Sequence, residues 1–389
     1  MPDSGEAIAI RLVEAIEEVG AAAWDACAGA DNPFLTYAFL HALEASGSAT
    51  TATGWRPQHL VAEDSRGRVI GVVPMYLKSH SYGEYVFDHG WADAYRRAGG
   101  RYYPKLQVAV PFTPVTGARV LIVDRPDRAA IRAALIEALE TVAERRRVSS
   151  LHVTFCMGEE AEAFAGAGFL IRSGFQYHWE NRGYGSFDDF LAALSHGKRK
   201  SIRKERRDVA AQGVEVIALN GDDLRPEHWD KFFEFYYATS DRKWGAPYLT
   251  RDFFARLHDT MRDKVVLMMA RKGGRWVAGA LNLMGRDTLY GRNWGSYGDF
   301  RFLHFEACYY RAIDFAIERG LARVEAGAQG EHKVQRGYLP QPTWSAHWIA
   351  DPGFREAVDR FLQQETALIR HEMAALHEHS PFKQANGAA

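Results

Sequence analysis

The chain has 389 residues, 47% of them hydrophobic, and its 48 basic and 49 acidic residues give a formal net charge of −1. That length exceeds what one hydrophobic core usually serves, so two domains or one duplicated domain is expected. The charge balance excludes a uniformly basic nucleic-acid coat and an acidic solvating chain, leaving any electrostatic partner to a local patch.

In chain order, "MPDSGEAIAIRLVEAIEEVG" carries acids through its apolar part and has neither the basic nor the long apolar region of a secretory signal. "HLVAEDSRGRVIGVVPMYL" from His59 presents two alternating apolar runs around a polar, glycine-containing turn, which predicts a β-hairpin. "YVFDHGW" from Tyr85 is expected to be a third strand. "RPDRAAIRAALIEALETVAERRR" has Pro126 and Asp127 near its start and arginines in its last turn, the signature of a helix. A short strand, "SSLHVTF", follows it.

The second half repeats this order. "LMMARKGGRWVAGALNLMG" from Leu267 matches the first hairpin at an offset that sets Ala62 on Ala270, Val69 on Val277 and Gly71 on Gly279. "YGRNWGS" from Tyr290 then sets Gly295 on Gly90, and Gly168, Phe169, His178 and Trp179 recur as Gly337, Tyr338, His347 and Trp348. "LHFEACYYRAIDFAIERG" predicts a helix ending at Gly320, and "ARVEAGAQ" a strand. The expectation is an α/β chain with mixed sheets, an N-terminal domain over 7–182, a C-terminal domain over 183–389, and a long amphipathic helix over 353–379. Cys27, Cys156 and Cys308 lie far apart without CxxC spacing, and no apolar run approaches the roughly 18 residues of a membrane span, so a reducing, cytoplasmic setting with no metal site is expected.

This doubled order of elements resembles the GNAT acyltransferase fold in tandem, as in the Fem-type aminoacyltransferases. The closer resemblance is to the FemAB-like N-acyltransferases of peptidoglycan biosynthesis or recognition, carried by "NPFLTYAFLHALE", "LKSHSYGEYVFDHGWADAY", "KRKSIRKER", "LYGRNWGS", "LHFEACYY" and "GAQGEHKVQRGYLP". It implies transfer of an acyl or aminoacyl group from an activated thioester or ester to an amine on a small-molecule or peptidoglycan precursor. No tightly bound cofactor is implied; acyl-CoA or aminoacyl-tRNA is the co-substrate, with tRNA then a partner. A GNAT domain normally cradles the coenzyme A pyrophosphate in an Arg/Gln-x-x-Gly-x-Gly/Ala loop, whereas "GSYGDFRFLHFEACYY" offers only Gly295 and Gly298.

Four groups of residues carry candidate chemistry. In "EAGAQGEHKVQRGYLP", glycines at a strand's carboxyl end let backbone amides approach a ligand. Glu331 or His332 there is a candidate base, Gln329, Lys333 and Arg336 candidate substrate ligands, and Tyr338 a candidate proton donor whose alternative is a packed aromatic. His304 and Glu306 start a helix two residues apart, so His304 is left as a substrate contact and Glu306 as a helix-terminus residue. Tyr82, Glu84, Asp88, Tyr103 and Lys105 are candidates to line a peptide- or sugar-binding cleft. In "HGKRKSIRKERR", residues 199, 203, 206 and 207 share a helical face, making Lys200, Arg203, Lys204 and Arg207 a candidate phosphate stripe whose alternative is a solvated face. "HEMAALHEH" lacks HExxH spacing and is discounted as a zinc site. Two rival readings are a non-catalytic module recognising peptidoglycan precursors or another anionic ligand, and an RNA-binding protein. The second is weakened because no aromatic stacking platform adjoins the basic run.

Overall fold

The computed structural model describes residues 8–383 apart from 245–246 and 328–329, with backbone alone for 240–244. It divides into two compact units, one of residues 8–174 with 343–369 and the other of 175–342 with 370–383.

The first unit begins with β1 (Ala9–Val13), α1 (Ala21–Ala28), α2 (Tyr37–Ala45), β2 (Trp55–Pro57), β3 (His59–Glu63), β4 (Val69–Val73) and β5 (Met75–Lys78). It continues through α3 (His89–Arg97), β6 (Lys105–Val108), β7 (Leu121–Ile122), α4 (Arg128–Arg146), β8 (Ser150–Cys156), α5 (Gly158–Gly166) and the start of β9 (Leu170–Glu180). The expected hairpin forms, with Leu60 opposite Val73 and Ala62 opposite Gly71. Pro74 then breaks the apolar run. Lacking an N–H, it divides β4 from β5, and the two join different sheets, β1-β3-β4-β7 and β2-β5-β6-β8. The expected third strand at Tyr85 is not one. Its residues form a turn and the opening of α3, and the strand beside β5 is β6. On α4, Ile131, Leu135, Leu139 and Ala143 recur at helical spacing and are buried in the core with β3, β4, β6 and β8.

The second unit holds α6 (Phe187–Ala193), α7 (His196–Ala211), β10 (Val214–Asn220), α8 (Pro226–Trp244), α9 (Arg251–Met261), β11 (Val265–Lys272), β12 (Arg275–Met284) and β13 (Thr288–Ser296). There follow α10 (Leu303–Phe305), α11 (Arg311–Glu318), β14 (Arg323–Glu325) and the start of β15 (Leu339–Ile349), while α12 (Pro352–Glu378) runs through the second boundary. The strand order is β10-β11-β12-β13-β14, antiparallel except for the parallel pair β13 and β14. The closing strands are exchanged between the copies. The end of β9 pairs with β14 in the second unit, and the end of β15 pairs with β8 in the first.

Helix α8 lies directly on β13 because Gly295 has no side chain: a Cβ there would overlap the carbonyl oxygen of Phe235. Gly295→Ala is therefore expected to lower stability by about 1–3 kcal/mol, read as a lower denaturant midpoint at unchanged slope. A midpoint equal to wild type would show that α8 rides freely on the strand.

Candidate active site

Strands β13 and β14 are registered over only three pairs, Thr288 with Arg323, Leu289 with Val324 and Tyr290 with Glu325. Beyond Tyr290 the parallel pair separates. On its other side β13 carries a bulge against β12: the register steps from Asn282 opposite Gly291 to Ala280 opposite Trp294, displacing Arg292 and Asn293. Phe302, in the left-handed region at φ 64°, starts the helical segment that follows, which loosens into a π-helical turn over Glu306–Tyr310 before α11. These irregularities leave a cavity of about 80 Å³ lined by Asn282, Arg292, Trp294, His304, Cys308, Tyr309 and Ala326, among others. Asn282 occupies the repeat position that Pro74 holds in the first copy.

The segment "EAGAQGEHKVQRGYLP" reaches this cavity through Ala326. It turns at Gly327 and Gly330, forms a 3-10 turn over Glu331–Arg336 and ends at Gly337. Any Cβ at Gly330 would overlap the His332 ring, so only glycine lets that ring fold back. The Lys333 ammonium is buried and donates to the carbonyl oxygens of Ala326, 2.6 Å, and Gly327, 3.1 Å. No carboxylate lies within 4 Å of it among the described residues. Burial pulls its pKa down to about 8, with the Cys308 thiol acting in the opposite sense.

His332 sits beside this lysine, its Nε2 3.1 Å from the Tyr309 hydroxyl, and burial with the fields of Arg336 and Lys333 lowers its pKa. His304 packs within the same group, its ring centroid 5.3 Å from Tyr309 and 6.4 Å from His332. His304 and His332 lie in one aromatic cluster with Tyr309, and Lys333 follows His332 in the chain. Glu331 is exposed, and Gln329 lies outside the described residues.

Two other selected residues have structural duties. Arg336 stacks on Phe305 at 3.5 Å and donates to Glu205 at 2.9 and 3.0 Å, so its charge is already paired. Tyr338 is fully buried and its hydroxyl donates to the Tyr309 carbonyl at 3.1 Å; burial raises its pKa, which removes it as a proton donor facing a cleft.

On α7 the basic run divides. Arg206 turns inward to Glu306 at 2.9 Å and Asp314 at 2.7 Å, so it leaves the expected stripe, and Glu306 is an ion-pair partner rather than a helix cap. Lys200, Arg203, Lys204 and Arg207 are exposed, with Arg203 2.8 Å from Asp188.

In the first unit the corresponding parallel pair, β6 with β8, is closed. Past its last registered residues the buried Arg119 side chain donates to the carbonyls of Thr154, Val115, Gly117 and Ala118 at 2.7–3.1 Å, filling the place where β13 and β14 stand apart. At the opposite end lies a charged network. Lys105 bridges Glu84, 2.7 Å, and Asp88; Tyr102 donates to Asp88 at 2.6 Å and contacts His152 at 3.1 Å; and His152 meets His347 at 2.7 Å.

Of the cleft residues chosen from sequence, Glu84, Asp88 and Lys105 do meet, but in the interior. Tyr103 is half-buried with its hydroxyl 2.7 Å from Ser81, and Tyr82 is exposed. Charges of opposite sign neutralise one another here, which is why they tolerate burial. Burial drives Glu84 up; burial also acts upward on Asp88, but Lys105, His152 and Ser81 together drive it down. Burial takes His152 down to about 3 and holds His347 well below its usual value.

Residues 15–384 match the model of the FemAB-like family, described as peptidoglycan biosynthesis/recognition. The chain belongs to the FemAB-like family. Its fold is similar to that of FemX, with a TM-score of 0.55 at 12% identity over 90% of this chain and 100% of FemX. It is also similar to L-PGS from Bacillus licheniformis, at 0.51 and 11% over 86% and 98%, and to a conserved protein of unknown function from Bacteroides thetaiotaomicron, at 0.53 and 12% over 88% and 100%. A search of curated sequences gave no match. The mixed α/β architecture described above is thus a fold that this FemAB-like chain shares with FemX.

Sequence reasoning passed over Tyr309, Asn282 and Arg119, and the pair His152 and His347. The two histidines sit in apolar strands, "SSLHVTF" and "TWSAHWI", and a histidine inside such a run was the available signal.

Two results are expected of the network. Lys105→Met removes the shared ammonium of two buried carboxylates, leaving Glu84 only the Lys78 ammonium at 3.9 Å and Asp88 the Tyr102 hydroxyl, and is expected to lower stability by about 3–5 kcal/mol. His152 and His347 have folded pKa values below their unfolded ones, so the unfolded chain binds more protons and stability falls as pH drops through about 6.5. At pH 5 His152 is expected to contribute roughly 2 kcal/mol to that fall, with His347 acting in the same direction. Denaturant titrations of a His152→Gln/His347→Gln chain should show a shallower decline between pH 7 and 5 than wild type; equal slopes would contradict neutral burial.

Proposed function

We propose that this FemAB-like protein is an N-acyltransferase whose chemistry takes place in the second unit, at the cavity between the separated ends of β13 and β14. The observation that carries this is Lys333: a buried ammonium without a carboxylate partner among the described residues, held by the carbonyl of cavity-lining Ala326. Acyl transfer to an amine needs a positive group where the carbonyl oxygen becomes an oxyanion, and such a group acts most strongly where water is excluded.

The acceptor amine, on a peptidoglycan precursor, attacks the carbonyl carbon of a thioester or ester donor. A carbon–nitrogen bond forms, and the oxyanion is stabilised by Lys333. His332, neutral because its pKa is lowered, takes the ammonium proton. Collapse breaks the carbon–sulfur or carbon–oxygen bond, and the departing thiolate or alkoxide leaves with a proton. Glu331, exposed beside His332, assists proton exchange with solvent, and His304 orients the substrate. The donor is acyl-CoA or aminoacyl-tRNA, its phosphates held by Lys200, Arg203, Lys204 and Arg207. Gly295 serves the packing of α8, so the diphosphate grip of an ordinary GNAT loop has no counterpart there.

Amide formation from aminoacyl-tRNA or acyl-CoA and a soluble muropeptide precursor, followed by mass spectrometry, tests the reaction. Lys333→Met is expected to lower kcat about 10²–10³-fold with the donor KM little changed, and His332→Ala to lower it at least about 10²-fold and flatten the acid limb of the pH profile. Unchanged turnover in folded variants would place the chemistry elsewhere. Arg203→Glu with Arg207→Glu is expected to raise the donor KM and reduce its salt dependence; an unchanged salt slope would remove the phosphate stripe.

A further inference from the structure

A second cavity lies in the first unit and belongs to none of the chemistry above. It measures about 930 Å³, the upper end of small-molecule sites, and lies between α3 and the first turns of α12. Gly90 and Ala94 on α3 and Ala98 at its C-cap face Gly353 and Ala357 on α12, so missing side chains hollow out a trough about 12 Å long at 1.5 Å per residue. Its walls are Phe87, Trp91, Tyr95, Phe354 and Phe361. Asp351, its sole acidic or basic lining residue, already accepts the Phe354 amide at 2.7 Å.

The trough is braced from behind. Arg172 stacks on Trp91 at 5.1 Å, donates to the Phe87 carbonyl at 2.8 Å and pairs with Glu365 of α12 at 2.6 Å, fixing both walls. Yet Phe87 and Phe361 stand 58% and 44% exposed, an arrangement that favours an apolar occupant. The trough's lining residues Ala98, Gly99 and Gly100 are flanked by Arg97 and Arg101, both exposed and without a carboxylate within 4 Å among the described residues, whereas Arg96 is paired with Asp93.

We propose that this trough binds the aliphatic chain of an anionic amphiphile, with its phosphate or carboxylate head at Arg97 and Arg101. The carbon lining accepts the chain, the concavity buries it along one axis, and the basic residues at one end match the head group in sign. The site stands apart from the Lys333 cavity and does not depend on the acyl-transfer reading.

The test is fluorescence titration of the full chain with 11-dansylaminoundecanoate, followed by displacement with hexadecyl phosphate and with hexadecanol. Saturable one-to-one binding is expected, with the phosphate displacing the probe about tenfold more effectively than the alcohol. Ala94→Phe and, separately, Ala357→Phe fill the trough and are expected to weaken probe binding about tenfold or more, with thermal midpoints confirming that each variant folds. Arg97→Glu with Arg101→Glu is expected to abolish the preference for the phosphate while leaving hexadecanol displacement unchanged. Binding unaffected by both filling variants, or equal displacement by phosphate and alcohol in wild type, would overturn the proposal. So would sedimentation showing a dimer that Ala94→Phe dissociates, because a second copy would then be the occupant.

Discussion

Among the described residues three registered pairs hold β13 to β14, and the candidate active site lies where that ladder ends. A longer parallel ladder would satisfy the backbone groups beyond Tyr290 and leave no cavity. The bulge opposite Asn282, the π-helical turn after Phe302 and the glycines at 327, 330 and 337 are all departures from regular geometry, and all lie around that opening. Regular structure supplies the frame; the irregular residues gather His304, His332 and Tyr309 into one cluster and set Lys333 on the carbonyl of cavity-lining Ala326.

The two copies of the fold treat this constraint in opposite ways. In the first unit, Arg119 occupies the equivalent position with four carbonyl contacts, and polar chemistry moves to the other end of the parallel pair, where Lys105, Glu84 and Asp88 neutralise one another. In the second unit Lys333 has carbonyls but, among the described residues, no carboxylate, so its charge remains available. A paired buried charge contributes to a defined interior, whereas an unpaired one is held at an energetic cost that function can recover. This contrast is why the second unit is assigned the chemistry.

Much of the frame was legible in the sequence. Both hairpins, the helix over 128–146, the long C-terminal helix and the duplication follow from apolar periodicity, turn residues and repeat spacing. The third strand of the first copy was misplaced because Gly90 was matched to Gly295 on identity alone; Gly90 lies in α3, while Gly295 is a contact between strand and helix. Pro74 marked the division of β4 from β5, but one proline does not announce that the two halves enter different sheets.

The site was legible in its residue types and less so in their pairing. His304, His332 and Lys333 were visible as polar residues beside glycines, yet nothing local shows that Arg336 meets Glu205 across 131 positions of chain. Glu84, Asp88 and Lys105 were recognised as an excess of charge, but whether such residues line a cleft or neutralise one another inside depends on tertiary contacts. The most direct measurement is the titration of the Lys333 amine, followed by NMR of carbon-13-methylated lysines and assigned with Lys333→Arg. A midpoint near 8, well below the ordinary 10.5, is predicted for a desolvated ammonium lacking a carboxylate partner; a midpoint at the ordinary value would mean that Lys333 is solvated or paired, contradicting its proposed role.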